Sequence, residues 1–142
     1  MLTSDDVMLN KAAIIERSIK RILEEYSHDP GLENLIHVDA MILNIEMACQ
    51  AAIDMAMHIA ATRRMGSPQS SADAFALLEK AGLISRGSLA SMAAMTAFRN
   101  IAIHEYQSLD NGVLKTIAGE AWKSLVEYCS EIGITIRPNQ SA

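Results

Sequence analysis

The strongest constraint on this chain is a heptad rhythm. Between about residues 33 and 64, Leu35, Val38, Ile42, Ile45, Cys49, Ala52, Ala56 and Ile59 recur at alternating spacings of three and four. An α-helix with about 3.6 residues per turn lines such positions along one face, whereas a strand scatters them over both. Met41, Ala48 and Met55 widen the stripe, so this long helix meets neighbours on two sides. Gly66-Ser67-Pro68 closes it.

The same alternation organises the rest. Met8, Ala12, Ile15, Ile19, Ile22 and Tyr26 mark a first helix over about residues 5 to 27. Lys11, Glu16, Arg17, Lys20, Glu24 and Glu25 occupy its polar side, Asp5 can cap its start, and His28-Asp29-Pro30-Gly31 ends it. Ser70-Ser71 signals the start of a short helix through Lys80, with Gly82 just past its end. A fourth helix is predicted over about 88 to 106, its inward stripe read as Leu89, Met92, Thr96, Arg99, Ile103 and Tyr106. A fifth, over about 112 to 132, is capped by Asp110 or Asn111 and carries Leu114, Ala118, Ala121, Leu125, Tyr128 and Ile132. The tail, 133 to 142, holds a short β-like run (Ile134-Thr135-Ile136) and then a proline, and is expected to fray. The reading is one all-α domain over 1–142, an up-and-down bundle of four main helices plus one short one.

Composition agrees by exclusion. Half of the 142 residues are hydrophobic, but only 4% are aromatic, with 7 Gly and 3 Pro, which excludes a disordered chain, a collagen-like repeat and a many-stranded sandwich. Twelve Lys and Arg against 17 Asp and Glu leave a formal charge of −5, which argues against general coating of nucleic acid. Cys49 and Cys129 stand in apolar helical patterns with no CxxC and no disulfide framework, so they read as two buried thiols. The first residues lack a signal-peptide pattern, and no apolar run is read as membrane-spanning, so the expected compartment is the cytoplasm, without membrane association.

Metal chemistry finds little support. A di-iron bundle needs two Glu-x-x-His motifs, and only Glu25 to His28 fits, at a helix end beside proline. His37 and His58 fall on the margins of the long helix, where Asp54 and His58 are four apart and can interact. Phosphate-loop, GxSxG and HExxH signatures are absent, and the nine Met read as core filler.

One stretch is harder to absorb into a core: Phe98-Arg99-Asn100-Ile101-Ala102-Ile103-His104-Glu105-Tyr106. A core-facing Arg needs a partner or a ligand. At about 100° per residue, Arg99 and Tyr106 lie about 20° apart, whereas Arg99 and His104 lie about 140° apart. One helix does not converge Arg99 and His104 well, but two copies facing across a two-fold axis could. A histidine that titrates near neutrality beside a fixed cation suits RNA chemistry. Spacing alone serves a polar seam between helices equally well.

Here the chain resembles the HEPN superfamily, whose motif is an Arg followed after four to six residues by a His. More narrowly it looks like the HepT-like toxins of type VII (MntA–HepT) toxin–antitoxin pairs, with R-x4-H-x-Y: Arg99, His104, Tyr106, and Asn100 after the Arg. The Ala48–Ala60 run before a Gly-Ser-Pro loop, Ala74-Phe75 with Leu78 and Gly82-Leu83-Ile84, and Asp110 followed by Val113 are similar too. The resemblance implies a HEPN-type helical bundle and a metal-independent RNase without a cofactor. In it, His104 assists the ribose 2′-hydroxyl or the leaving oxygen, Arg99 holds the phosphate, and Asn100 orients the substrate or His104. It also implies a homodimer with both motifs in one cleft. The implied partner is a nucleotidyltransferase antitoxin that transfers AMP to Tyr106. The alternative is a non-catalytic HEPN module that binds and scaffolds the nucleotidyltransferase.

Overall fold

A computed structural model describes residues 4–104 and 110–139, with side chains of the first stretch described from Asp6 to Ile103. Its helices are α1 (Ser4–His28), α2 (Leu35–Thr62), α3 (Ser71–Lys80), α4 (Arg86–His104), α5 (Asn111–Thr116) and α6 (Lys123–Glu131), with a π-helical turn (Ile117–Ala121) leading from α5 toward α6. The capping role expected of Asp5 lies outside the described side chains.

α1 and α2 form an antiparallel pair, since Glu25 reaches His37 at one end and Lys11 reaches Asp54 at the other. Asp29 makes the corner between them: its carboxylate accepts from the main-chain N–H groups of Glu33 at 3.1 Å and Asn34 at 2.9 Å. Asn34 then caps α2 by accepting from the Ile36 N–H at 2.9 Å. Buried Glu25 joins Arg21, at 2.9 Å, to His37, whose ring lies parallel to that of His28. Ser70 caps α3 by accepting from the Asp73 N–H at 3.1 Å, and Gly82 follows it with φ +78°, a conformation glycine adopts without strain.

α2 is the hub, packing on α1, α3 and α4. The two-sided burial expected of it holds: Met41, Ala48 and Met55 are buried together with Val38, Ile42, Ile45, Cys49, Ala52, Ala56 and Ile59. Leu35, read as the start of the stripe, is instead 73% exposed, because the first turn of α2 projects past the corner where α1 has already ended. Length is a further correction, for α2 is long and apolar enough to cross a membrane by length and composition. Its many small alanines keep hydropathy high, and over half of its most apolar stretch is buried inside the bundle.

α4 corrects the phase of a stripe. Its buried side chains are Ser88, Met92, Met95, Phe98 and Ala102, while Leu89, Thr96 and Arg99 are half-buried and Ile103 is exposed. Two stripes compete on an alanine-rich helix, and the bulk of Met95 and Phe98 selects the one that buries more apolar area. In the fifth predicted helix Leu114, Ala118, Leu125 and Tyr128 are buried as expected, and only at the π-turn does the inward position change. Trp122 and Ile117 enter the core, and Ala121 is left at the edge. Where the sequence predicts a loose tail, the chain packs back: Ile136 is 5% exposed and the Arg137 N–H donates to Glu16 at 2.7 Å.

Candidate active site

Phe98 is driven into the core, so the next residue along α4, turned by about 100°, sits where α4 meets α2. That residue is Arg99. Its Nη2 donates to Oε1 of Gln50 at 2.7 Å and its Nη1 to Oδ1 of Asn100 at 3.2 Å. The Gln50 amide donates in turn through Nε2 to Asp54 Oδ1 at 2.9 Å, and the other Asp54 oxygen accepts from Lys11 Nζ at 3.0 Å. A single polar chain thus crosses α1, α2 and α4: Lys11, Asp54, Gln50, Arg99, Asn100. Asp54, four residues before His58, uses its carboxylate on Gln50 and Lys11, and the His58 Nε2 is buried without a hydrogen-bond partner.

Glu46, Met47 and Gln50 of α2 with Arg99 and Ile103 of α4 line a shallow pocket of about 230 Å³. Around it α2 presents exposed Leu43 and Met47, with exposed Ile36 further along toward the start of that helix, and α4 presents exposed Ile103. The pocket therefore joins a tethered cation and the Glu46 carboxylate to an apolar surround. Behind it, Cys49 donates to the Met95 carbonyl at 3.5 Å; burial pushes its thiol up to about 12, with the Arg99 charge partly opposing and Glu46 adding to the rise. Burial pushes Cys129 to about 12 as well, so both thiols are inert neutral groups. No group of three or more His, Cys, Asp or Glu suited to a metal ion occurs among the described residues.

Of the residues expected to carry chemistry, Arg99 and Asn100 are thus adjacent and bonded at the α2–α4 seam. His104 is the last described residue of α4, its side chain outside the described set, and Tyr106 lies outside the described residues altogether. Gln50 and Asp54 escaped the sequence reading as site residues. Their signal was present, as an amide and a carboxylate four apart in the alanine-rich middle of α2.

Residues 14–132 match the family model described as ribonuclease HepT-like. The chain belongs to the HepT-like ribonuclease family. A relative from Shewanella oneidensis named mRNA nuclease HepT is 39% identical over 107 residues, covering 75% of this chain and 80% of the relative. Two solved structures superpose closely. One, a toxin–antitoxin crystal structure with AMP-PNP, gives a TM-score of 0.85 at 33% identity, covering 89% of this chain and 97% of its own. The other, the tri-AMPylated Shewanella oneidensis HEPN toxin in complex with MNT antitoxin, gives 0.85 at 34% identity, covering 89% and 96%. The all-α HepT-like bundle is therefore the fold of this chain, and Arg99 opens the stretch that resembles the R-x4-H-x-Y motif of its family.

Proposed function

We propose that this HepT-like ribonuclease is the toxin of a type VII toxin–antitoxin pair, a metal-independent endoribonuclease silenced by AMPylation of Tyr106. The observation that carries the reading is Arg99, a guanidinium held in place at the mouth of a pocket, five residues before His104 and seven before Tyr106.

In this reading a phosphodiester of the RNA lies against Arg99, which balances the charge that grows on the phosphoryl oxygens as the ribose 2′-hydroxyl attacks. His104 takes the 2′-hydroxyl proton or returns one to the leaving 5′-oxygen, work suited to a group that titrates near neutrality. Asn100 orients the substrate or His104 while bonding the Arg99 guanidinium. The exposed Leu43, Met47 and Ile103 beside the pocket, with Ile36 further along α2, support a homodimer in which a second copy covers this face and adds its own Arg99 and His104 to one cleft. A MntA-like nucleotidyltransferase would silence the enzyme by joining AMP to the Tyr106 hydroxyl, placing an anion where substrate phosphate must sit.

The test is cleavage of total RNA by the purified protein in excess EDTA, beside Arg99→Ala and His104→Ala. Cleavage by the wild type alone is expected. Intact RNA in every lane would favour the non-catalytic scaffold for a nucleotidyltransferase, a reading to which the net charge of −5 lends weight.

A further inference from the structure

We propose that Gln50 is a positioning residue that fixes the Arg99 guanidinium without neutralising it, with Asp54 and Lys11 as its backing; this rests on the ribonuclease reading above. The Gln50 amide lies between a cation and an anion, with Oε1 2.7 Å from Arg99 Nη2 and Nε2 2.9 Å from Asp54 Oδ1. A guanidinium only donates and a carboxylate only accepts, so the amide can lie one way round. Its carbonyl is polarised by the carboxylate behind it, which strengthens the bond to Arg99. Among the described residues, both oxygens to which Arg99 donates, those of Gln50 and Asn100, belong to neutral amides, so neither bond takes up its positive charge, although the Glu46 carboxylate lines the same pocket.

Each alternative at position 50 fails on one count. A carboxylate would pair with Arg99, take up the charge that the substrate needs, and repel Asp54 one turn further along α2. An apolar side chain would leave Arg99, among the described residues, with only the Asn100 tether and more freedom to sample other rotamers. The strut also needs its far end neutralised. Asp54 is a carboxylate behind an anion-binding pocket, and Lys11 at 3.0 Å cancels it. Both groups are about one-third exposed, so water and salt weaken this last coupling.

The experiment uses the full-length protein, with Gln50→Met, Gln50→Glu, Lys11→Met and Lys11→Met/Asp54→Asn. Three readouts are taken: single-turnover cleavage of an RNA oligonucleotide, affinity for the same oligonucleotide with a 2′-deoxy scissile position, and the ¹⁵N signals of the Arg99 guanidinium without RNA. Gln50→Met should lower the cleavage rate about 10- to 100-fold, the range for losing a hydrogen bond to a charged group, with little change in affinity. It should also release the slowed rotation of the guanidinium. Gln50→Glu should keep that rotation slow and weaken RNA binding, most at low salt. Lys11→Met should weaken binding a few-fold, and adding Asp54→Asn should restore it. A purely structural role would instead make the double variant no better than the single one. Wild-type protein that cleaves no RNA, with guanidinium signals that respond to Gln50→Met, would sink the ribonuclease reading and leave the strut standing. Wild-type cleavage matched by both Gln50 variants in rate, affinity and signals would overturn the proposal.

Discussion

The hydroxyl of Tyr128 donates to the main-chain oxygen of Ala52 at 2.8 Å, pinning α6 to the middle of α2 in a fully buried contact. The same ring meets Phe75 of α3 edge-on, with centroids 5.6 Å apart and planes at 78°, so three helices converge on it. Burial drives the phenol well above its ordinary range and keeps it protonated as a donor. Tyr128→Phe keeps the ring contact and removes only the hydrogen bond, and the Ala52 oxygen retains its place in the α2 ladder. A loss of about 1 kcal/mol is expected in urea unfolding, with RNA cleavage unchanged.

That contact also sorts the three tyrosines as AMP acceptors. Tyr128 offers no hydroxyl to a second protein, because the oxygen is inside the bundle and engaged. Tyr26 is half-buried at the end of α1, on the rim of the core. Under the proposed function, co-expression with a nucleotidyltransferase partner and ATP should add whole AMP units at Tyr106. Intact mass and peptide mapping read this directly. Tyr106→Phe should abolish the adduct, and an undiminished adduct on that variant would sink the assignment.

Helix existence was legible because each stripe is a local pattern; every predicted helix is present, within two residues where its ends are described. Phase was less legible. On α4 the alternation through Leu89, Thr96 and Arg99 competes with one through Met95 and Phe98, and only packing against α2 decides between them. The π-turn is invisible to periodicity: it brings in Trp122 where the pattern offers Ala121, while Leu125 and Tyr128 beyond it are buried as the stripe predicts. At the site, Arg99 stood out as a charge in an apolar helix. Gln50 did not: its spacing to Asp54 is local and ordinary, and the link to Arg99 that gives it meaning joins residues 49 apart. Ile136 was missed for the same reason, as a short apolar run with no repeat.

Acid should expose two tethers. The Asn34 main-chain N–H holds the Asp29 carboxyl below its ordinary value; desolvation opposes it, and the Glu33 N–H and the charge of His37 add to the lowering. Desolvation would raise Glu131, but the Ser85 N–H and the hydroxyls of Ser88 and Ser85 outweigh it and leave the carboxyl below 4.5. Both groups are more acidic folded than unfolded, so their stabilisation is present above the unfolded values and disappears as pH falls through the folded ones. Circular dichroism with urea at stepped pH should show stability dropping below about pH 4.5. Asp29→Asn and Glu131→Gln should each start lower and lose less across that window. Parallel curves for wild type and variants would contradict both assignments.

Arg99→Lys separates charge from geometry at the proposed catalytic cation. A lysine ammonium keeps the charge, but it is a compact group on a flexible stem, whereas the Arg99 guanidinium uses separate nitrogens for Gln50 and Asn100. A lysine that binds Gln50 has little reach left for phosphate, and one that binds phosphate abandons the strut. RNA affinity should therefore fall only a few-fold in Arg99→Lys, because the electrostatic attraction survives. The cleavage step should fall about 100-fold or more, the scale of losing one preorganised donor to a developing oxyanion. The folded bundle should be little affected, since Arg99 is only half-buried at the seam and its neighbours Phe98 and Ala102 carry the packing. Single-turnover kinetics at saturating RNA, with thermal unfolding as the control for folding, check this directly. Equal cleavage rates for lysine and arginine would mean that charge alone suffices and that orientation of the guanidinium contributes nothing.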